Sequence, residues 1–244
     1  EFVIHLHQSK SAAYFNLSTF FSGYAKKTLF TVHSQFPAYN MKNKLASFFN
    51  AVRAKRICNV SATSYAVYPN LVKKMKGNRM TYIENGVDID RIDKILKNHE
   101  KSKRKRKRFI YVARMIPLKK HDFLIDVFHK VDADYELILI GTEDADGCIR
   151  NKVHDYGMSD KVIITGLIPR DELFVKLADS DVYVSSSTIE GLPVSVLEAM
   201  TVGIPAIISD IEPHKEILRV CDAVEVLPFD DSVWVERITE VIKM

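Results

Sequence analysis

The sequence predicts an α/β protein of two Rossmann-like domains, each built on a parallel sheet, and three observations predict it. Short β-branched runs alternate with longer helical patterns along almost the whole chain, which is the mark of right-handed βαβ units. A charge-rich stretch at 85–107 interrupts that alternation once, and so divides the 244 residues into two parts. The hydrophobic share of 47% and charged share of 27% suit a globular chain with a substantial core.

Taken in order, the first four strands are expected at 2–7, 28–33, 56–61 and 79–84. Six more come at 109–113, 136–140, 161–165, 181–185, 204–209 and 223–227. Between them, Phe123, Leu124, Val127 and Phe128 recur at helical spacing in 121–130, and 171–178 reads the same way. The expected division is a partial N-terminal Rossmann-like domain at 1–95, a basic linker at 96–107 and a Rossmann-like nucleotide-binding domain at 108–244. The turn Asn85-Gly86-Val87-Asp88 would serve as hinge. Four strands are few for an open sheet of this type, and the chain lacks a starting Met. The first domain is therefore expected to be truncated, the chain beginning inside a longer parent.

No apolar run approaches the roughly 20 residues that span a bilayer. Cys58, Cys148 and Cys221 are widely spaced and sit in apolar patterns, which predicts reduced core thiols and a cytoplasmic setting. The net charge of +4 is dominated by residues 101–108, which hold seven cations and no acid; +4 less these seven is −3. Such a run is ordinarily solvated and mobile. The sharper expectation is attraction to an anionic membrane surface, placing the protein peripherally at the inner membrane face.

Ligands of an open parallel sheet sit beyond the carboxyl ends of its strands, so the residues just past each strand decide the function. After 181–185 come Glu190, Gly191, Leu192 and Pro193, then a helical run to Met200. Pro193 suits a first helical position, so the N–H groups of Gly191 and Leu192 would face an anion with the helix dipole behind them. Glu198, one to two turns inside that helix, would accept the hydroxyls of a ribose, and Glu190 would meet a second polyol. After 109–113, Arg114 and Lys119 flank a turn before the next helix. Two such cations neutralise a diphosphate without a metal and stabilise it as a leaving group. In isolation they would be ordinary surface cations.

These residues carry a resemblance. Glu190-Gly-Leu-Pro followed by Glu198, the Arg114…Lys119 turn, Asn85-Gly86-Val87-Asp88 and the Leu-Glu-Ala-Met…Gly-Ile-Pro stretch at 197–205 together resemble the retaining GT-B glycosyltransferases of family 4. The resemblance implies two Rossmann-like domains facing a cleft and transfer of a sugar from a UDP- or GDP-type donor to an acceptor hydroxyl with retention, without metal or cofactor. It implies that Glu198 holds the ribose and that Glu190 contacts the donor sugar. Gly191, Leu192 and Pro193 would supply backbone contacts, and Arg114 and Lys119 would bind the diphosphate. His33 would approach the sugar from the first domain. The partners implied are a nucleotide-sugar and a glycan or lipid-linked acceptor, not nucleic acid. The family's glycine-rich acceptor loop is not found among the nine glycines.

Three alternatives stand beside this reading. A non-catalytic donor-binding subunit would need a partner chain, and a GT-B epimerase would act on similar donors. A nicotinamide oxidoreductase would need Gly-x-Gly-x-x-Gly after a strand, which is not present. Four Asp-x-Asp triplets, at 88/90, 132/134, 144/146 and 179/181, read as chance rather than as metal ligands. His5 and His7 share one face of a strand and read as packing residues.

Overall fold

The computed structural model describes residues 2–7, 9–33, 41–61, 70–143, 147–219 and 221–244. Contacts divide the chain into two units, one of 1–85 with 189–192 and the other of 86–188 with 193–244. The division falls at Asn85/Gly86, earlier than 95/96, so the helix at Ile89–Leu96 belongs to the second unit.

The first unit is a parallel sheet of β1 (Ile4–His7), β2 (Thr28–Val32), β3 (Arg56–Asn59) and β4 (Met80–Tyr82), in that order. Helices α1 (Ser9–Ser18) and α2 (Met41–Arg53) connect successive strands, and α3 (Asn70–Lys76) precedes β4. Register sets Leu6 beside Phe30 and Phe30 beside Ile57. These three side chains share a face and pack against Ala12 of α1 and Ala51 of α2. Strand alternation then puts His5, His7, Thr31 and Cys58 on the opposite face. The two helices are tied by a buried hydrogen bond from Asn16 Nδ2 to Asn50 Oδ1 at 2.9 Å. Lys76 donates from within the unit to the carbonyl of Val52 (2.8 Å) and to that of Ala54, so its cation caps the end of α2.

The second unit holds six parallel strands: β5 (Lys107–Val112), β6 (Tyr135–Ile140), β7 (Val162–Gly166), β8 (Val182–Ser185), β9 (Ala206–Ser209) and β10 (Val224–Leu227). Their order is β10-β9-β8-β5-β6-β7, the doubly wound arrangement. Strands β8 and β9 are buried along their whole length, as continuous apolar runs covered on both faces should be. The helices are α4 (Ile89–Leu96), α5 (His121–Lys130), α6 (Cys148–Asp155), α7 (Arg170–Ala178), α8 (Val194–Val202), α9 (Glu212–Leu218) and α10 (Asp231–Lys243). Asp88 caps α4 by accepting from Arg91 N, and Asp230 caps α10 by accepting from Ser232 N. Gly203 ends α8 with φ 86°, the left-handed turn that glycine adopts without strain.

Four cations of the basic stretch 101–108 pair with acids of the second unit, while Lys103 and Lys105 are exposed. Lys101 pairs with Asp181 at 2.9 Å, Arg106 with Asp134 at 2.8 Å and Arg108 with Glu136 at 3.0 Å. Arg104, largely buried, meets Asp181 at 3.2 Å, and Asp179 accepts from Ser102 N. Two Asp-x-Asp triplets thus anchor this run, and Asp88 of a third is a helix cap. Asp144 and Asp146 lie outside the described residues. Of the three cysteines only Cys58 is a core thiol; Cys148 is exposed at the start of α6 and Cys221 is half-buried. No helix among the described residues is long and apolar enough to cross a membrane.

Candidate functional site

Strand order reverses between β5 and β8, which are neighbours in the sheet although β6 and β7 intervene in sequence. Loops leaving such a pair diverge and open a crevice at the carboxyl ends of the strands. The turn after β5 carries Arg114 and Lys119. Arg114 is exposed, and Met115 bridges to Glu143 after β6. Pro117–Lys119 then forms one 3-10 turn, and Lys120 takes a left-handed conformation (φ 51°) before α5 begins.

The segment after β8 fixes this turn. Ser186 Oγ donates to the carbonyls of Lys119 and Lys120 at 3.0 and 2.8 Å. Thr188 N and Thr188 Oγ1 both donate to the Leu118 carbonyl, at 2.9 and 3.0 Å. The Tyr111 hydroxyl adds a bond to the Lys119 carbonyl at 3.0 Å. Every one of these bonds goes to a backbone carbonyl of the turn.

A glycine permits the close approach of the neighbouring turn. A Cβ on Gly141, which comes directly after β6 with φ 149°, would fall 2.1 Å from the Ala113 carbonyl oxygen. His121, the first residue of α5, is buried against Tyr111 with ring centroids 4.5 Å apart. Burial first, and Lys119 second, push its pKa down to about 4, so the imidazole is neutral.

Helix α8 enters from the same β8 segment. Pro193 stands at its N-cap (φ −73°, ψ 102°) rather than at the first helical position, and the helix starts at Val194. Glu198 is buried inside α8 and accepts a hydrogen bond on Oε1 from Arg170 Nη2. Arg170 opens α7, just beyond the carboxyl end of β7, and its guanidinium lies 5.0 Å from the Phe174 ring. Sequence reasoning missed Arg170. It stands past β7 much as Arg114 stands past β5, and a search beyond every strand end would have found it. Arg114, Lys119, Pro193 and Glu198 thus all belong to the carboxyl-end loops and helix α8 of one sheet.

The other expected residues group with the first unit. Glu190, Gly191 and Leu192 cluster there, with the Leu192 carbonyl accepting from Asn85 Nδ2 at 2.9 Å. Gly191 is buried, and Glu190 is half-buried. His33 comes directly after β2, exposed, with its Nε2 2.7 Å from His7 Nδ1 and the two rings stacked. His5 Nε2 meets Thr31 Oγ1 at 2.6 Å. Partial burial, then His7 and then His5, lower the His33 pKa below the usual histidine value. Sequence reasoning set His5 and His7 on one face as packing residues. The structure does place them on one face, but both are exposed and in contact with β2 and its exit.

Residues 92–244 match the family model described as Glycosyl transferases group 1. Among curated proteins, the O-antigen chain mannosyltransferase RfbU of Salmonella typhimurium is 29% identical over 223 residues, 86% of this chain and 60% of that protein. The chain therefore spans about 60% of that relative's length. Among solved structures, sucrose-phosphate synthase of Thermosynechococcus elongatus superposes with a TM-score of 0.82 at 18% identity, covering 99% of this chain and 64% of that one. HepE of Anabaena, in complex with UDP and glucose, gives 0.76 at 17%, covering 98% and 68%. These likenesses show an α/β, GT-B-like fold with two parallel-sheet units.

Proposed function

Because the chain belongs to the glycosyl transferases group 1 family, we propose that it moves a sugar from a UDP- or GDP-type nucleotide-sugar to an acceptor hydroxyl, with retention and without a metal. The observation that carries this reading is the locking of the 114–120 turn by Ser186 and Thr188 at the β5/β8 switch point. It sets two cations at the end of the sheet where α8 begins. In this reading Arg114, Lys119 and the α8 N-terminus stabilise the charge that develops on the departing diphosphate. Glu198 accepts a ribose hydroxyl through the oxygen opposite the one Arg170 holds. Glu190 contacts the sugar, Gly191, Leu192 and Pro193 offer backbone groups, and His33 serves the sugar from the first unit. Family 4, with its front-face, ion-pair-like reaction, is the class that fits these residues. A glycan or lipid-linked molecule is the proposed acceptor, at the cytoplasmic face.

The test is calorimetric titration of the chain with nucleoside diphosphates and their sugars, chelator present. Saturable binding that Arg114→Ala or Glu198→Ala removes, with Glu190→Asp far milder, supports the donor site and names the base. A folded chain that binds none of them, or that binds equally in all variants, refutes it. Turnover is measured separately, because the chain spans 60% of the mannosyltransferase that it matches. Donor binding without transfer favours a donor-binding subunit completed by a partner chain.

A further inference from the structure

Four of the seven cations in 101–108 have acidic partners, and the other three are Lys103, Lys105 and Lys107. Lys103 is exposed. Lys105 and Lys107 instead line a cavity of about 330 Å³ together with Lys101, Arg104 and Arg106. Lys105 is exposed and Lys107 half-buried, and neither side chain has an ion pair or hydrogen bond among the described residues. The Arg104 side chain is 13% exposed, and its buried Nε also has no hydrogen-bond partner there.

The acids that line the same cavity are already engaged. Asp181 accepts from Lys101 Nζ at 2.9 Å, from Arg104 Nη2 at 3.2 Å and from Arg108 N at 2.8 Å. Asp134 meets Arg106 Nε at 2.8 Å. Five cations against two acids leave a charge of +3 on the lining. The half-buried Lys107 and the largely buried Arg104 have each given up hydration, and the cavity brings them together without a further carboxylate to compensate. Ile242 and Met244 bring the carboxyl end of α10 to the cavity, but its dipole amounts to only about half a negative charge.

This is not the end of the sheet that carries the Arg114 turn. Lys107 opens β5 and Arg114 follows its last residue, so roughly 20 Å of extended chain separates the two. The cavity therefore lies at the amino end of the second sheet, beyond reach of a ligand held at its carboxyl end.

The shape and lining decide what anion suits it. Single-stranded nucleic acid needs flat rings on which bases stack, and no aromatic side chain lines this cavity. A flat surface would engage cations spread along the run, Lys103 included, whereas these five converge on one concavity. Phosphate oxygens accept from several charged N–H donors at once, and such bonds are short and strong.

We propose that the amino end of the second sheet binds a compact polyphosphate anion of about three charges, of which inorganic pyrophosphate is the model. Lys105, Lys107 and Arg104 Nε donate to its oxygens, while Asp181 and Asp134 keep Lys101 and Arg106 in place around it. The site does not depend on the donor reading.

The experiment is calorimetric titration of the 244-residue chain with inorganic pyrophosphate at fixed ionic strength, with chelator present. Lys105→Gln/Lys107→Gln, which keeps both aliphatic stems, should weaken binding at this site about a hundredfold. Lys103→Gln and Arg114→Ala should each leave it intact. An Arg114→Ala chain that still takes up one equivalent, lost when the lysine pair is also changed, upholds this site whatever the fate of the donor reading. Circular dichroism identifies the folded variants. A second measurement needs no variant: pyrophosphate should slow hydrogen exchange of the 101–108 amides several-fold. Uptake abolished by Arg114→Ala and untouched by the lysine pair would overturn the proposal. So would equal slowing by sulfate at the same ionic strength, which is screening alone. Flotation with phosphatidylglycerol vesicles that falls in the lysine variant and that pyrophosphate does not displace would overturn it in favour of a membrane surface.

Discussion

Arg170 and Glu198 form an ion pair between the first turn of α7 and the interior of α8, with the carboxylate almost wholly buried and the guanidinium half exposed. The asymmetry defines the roles. A carboxylate withdrawn from water needs a compensating charge, and Arg170 supplies it on one oxygen.

Removing Arg170 should therefore damage both stability and donor binding. In Arg170→Met, which keeps apolar contact with Phe174, the expected loss of stability is about 1–2 kcal/mol, since the exposed guanidinium is partly screened. Nucleoside diphosphate affinity should fall about tenfold, and a Glu198→Gln background should absorb most of that loss. Denaturant unfolding and calorimetry on the single and double variants measure both. Tighter binding by Arg170→Met would instead make Arg170 a competitor for the carboxylate.

Gly141 is the position least able to accept a side chain. Gly141→Ala places a methyl 2.1 Å from a backbone oxygen and imposes φ 149° on an L-residue. Neither the Ala113 carbonyl nor the β6 exit can yield without moving the Arg114 turn. The expected cost is about 3 kcal/mol or more, visible as a large fall in thermal midpoint. A midpoint within a degree or two of the unmodified chain would mean that the two turns are not packed this closely.

The strands were the most legible feature. All ten expected runs overlap an observed strand, because buried parallel strands are nearly continuous β-branched segments and their ends are punctuated by Gly, Pro and charge. The helix start at Val194 was missed by one residue, since proline suits the cap and the first turn almost equally. The positions of Arg114, Lys119 and Glu198 could be read from strand order. The position of Arg170 could be read the same way, but its contact with Glu198 of α8, distant in sequence, is encoded by no local pattern. The ion pairs of the 101–108 run were hidden for the same reason. Its partners, Asp134, Glu136, Asp179 and Asp181, are brought to it only by the sheet.

His121 should make the protein sensitive to acid. Its folded pKa is about 4 against an ordinary 6.5, so the unfolded chain binds its proton first as pH falls. The stability it contributes is present above pH 6.5 and is lost between 6.5 and 4, on the order of 3 kcal/mol in all. His5 and His33, also lowered, add slope in the same direction. His121→Phe, which retains stacking on Tyr111, should flatten the fall in denaturant stability between pH 7 and 4.5. An unchanged pH profile would show that the imidazole is not buried neutral.

Asp181 should be the chief anchor of the basic segment. Burial alone would raise its carboxyl, but Arg108 N at 2.8 Å, Lys101 and Arg104 outweigh it and hold the group below the usual carboxylate range. A depressed carboxylate contributes stability above its unfolded pKa and loses it as pH falls through the folded value. Asp181→Asn should thus cost about 1.5–3 kcal/mol at pH 7, the range for hydrogen bonds to a charged group. The difference between the two proteins should shrink as the pH is lowered toward 3. In the variant, hydrogen exchange of the 101–108 amides should accelerate ahead of global unfolding. Exchange there as slow as in the unmodified chain would mean that Asp134, Asp179 and Glu136 hold the segment without it.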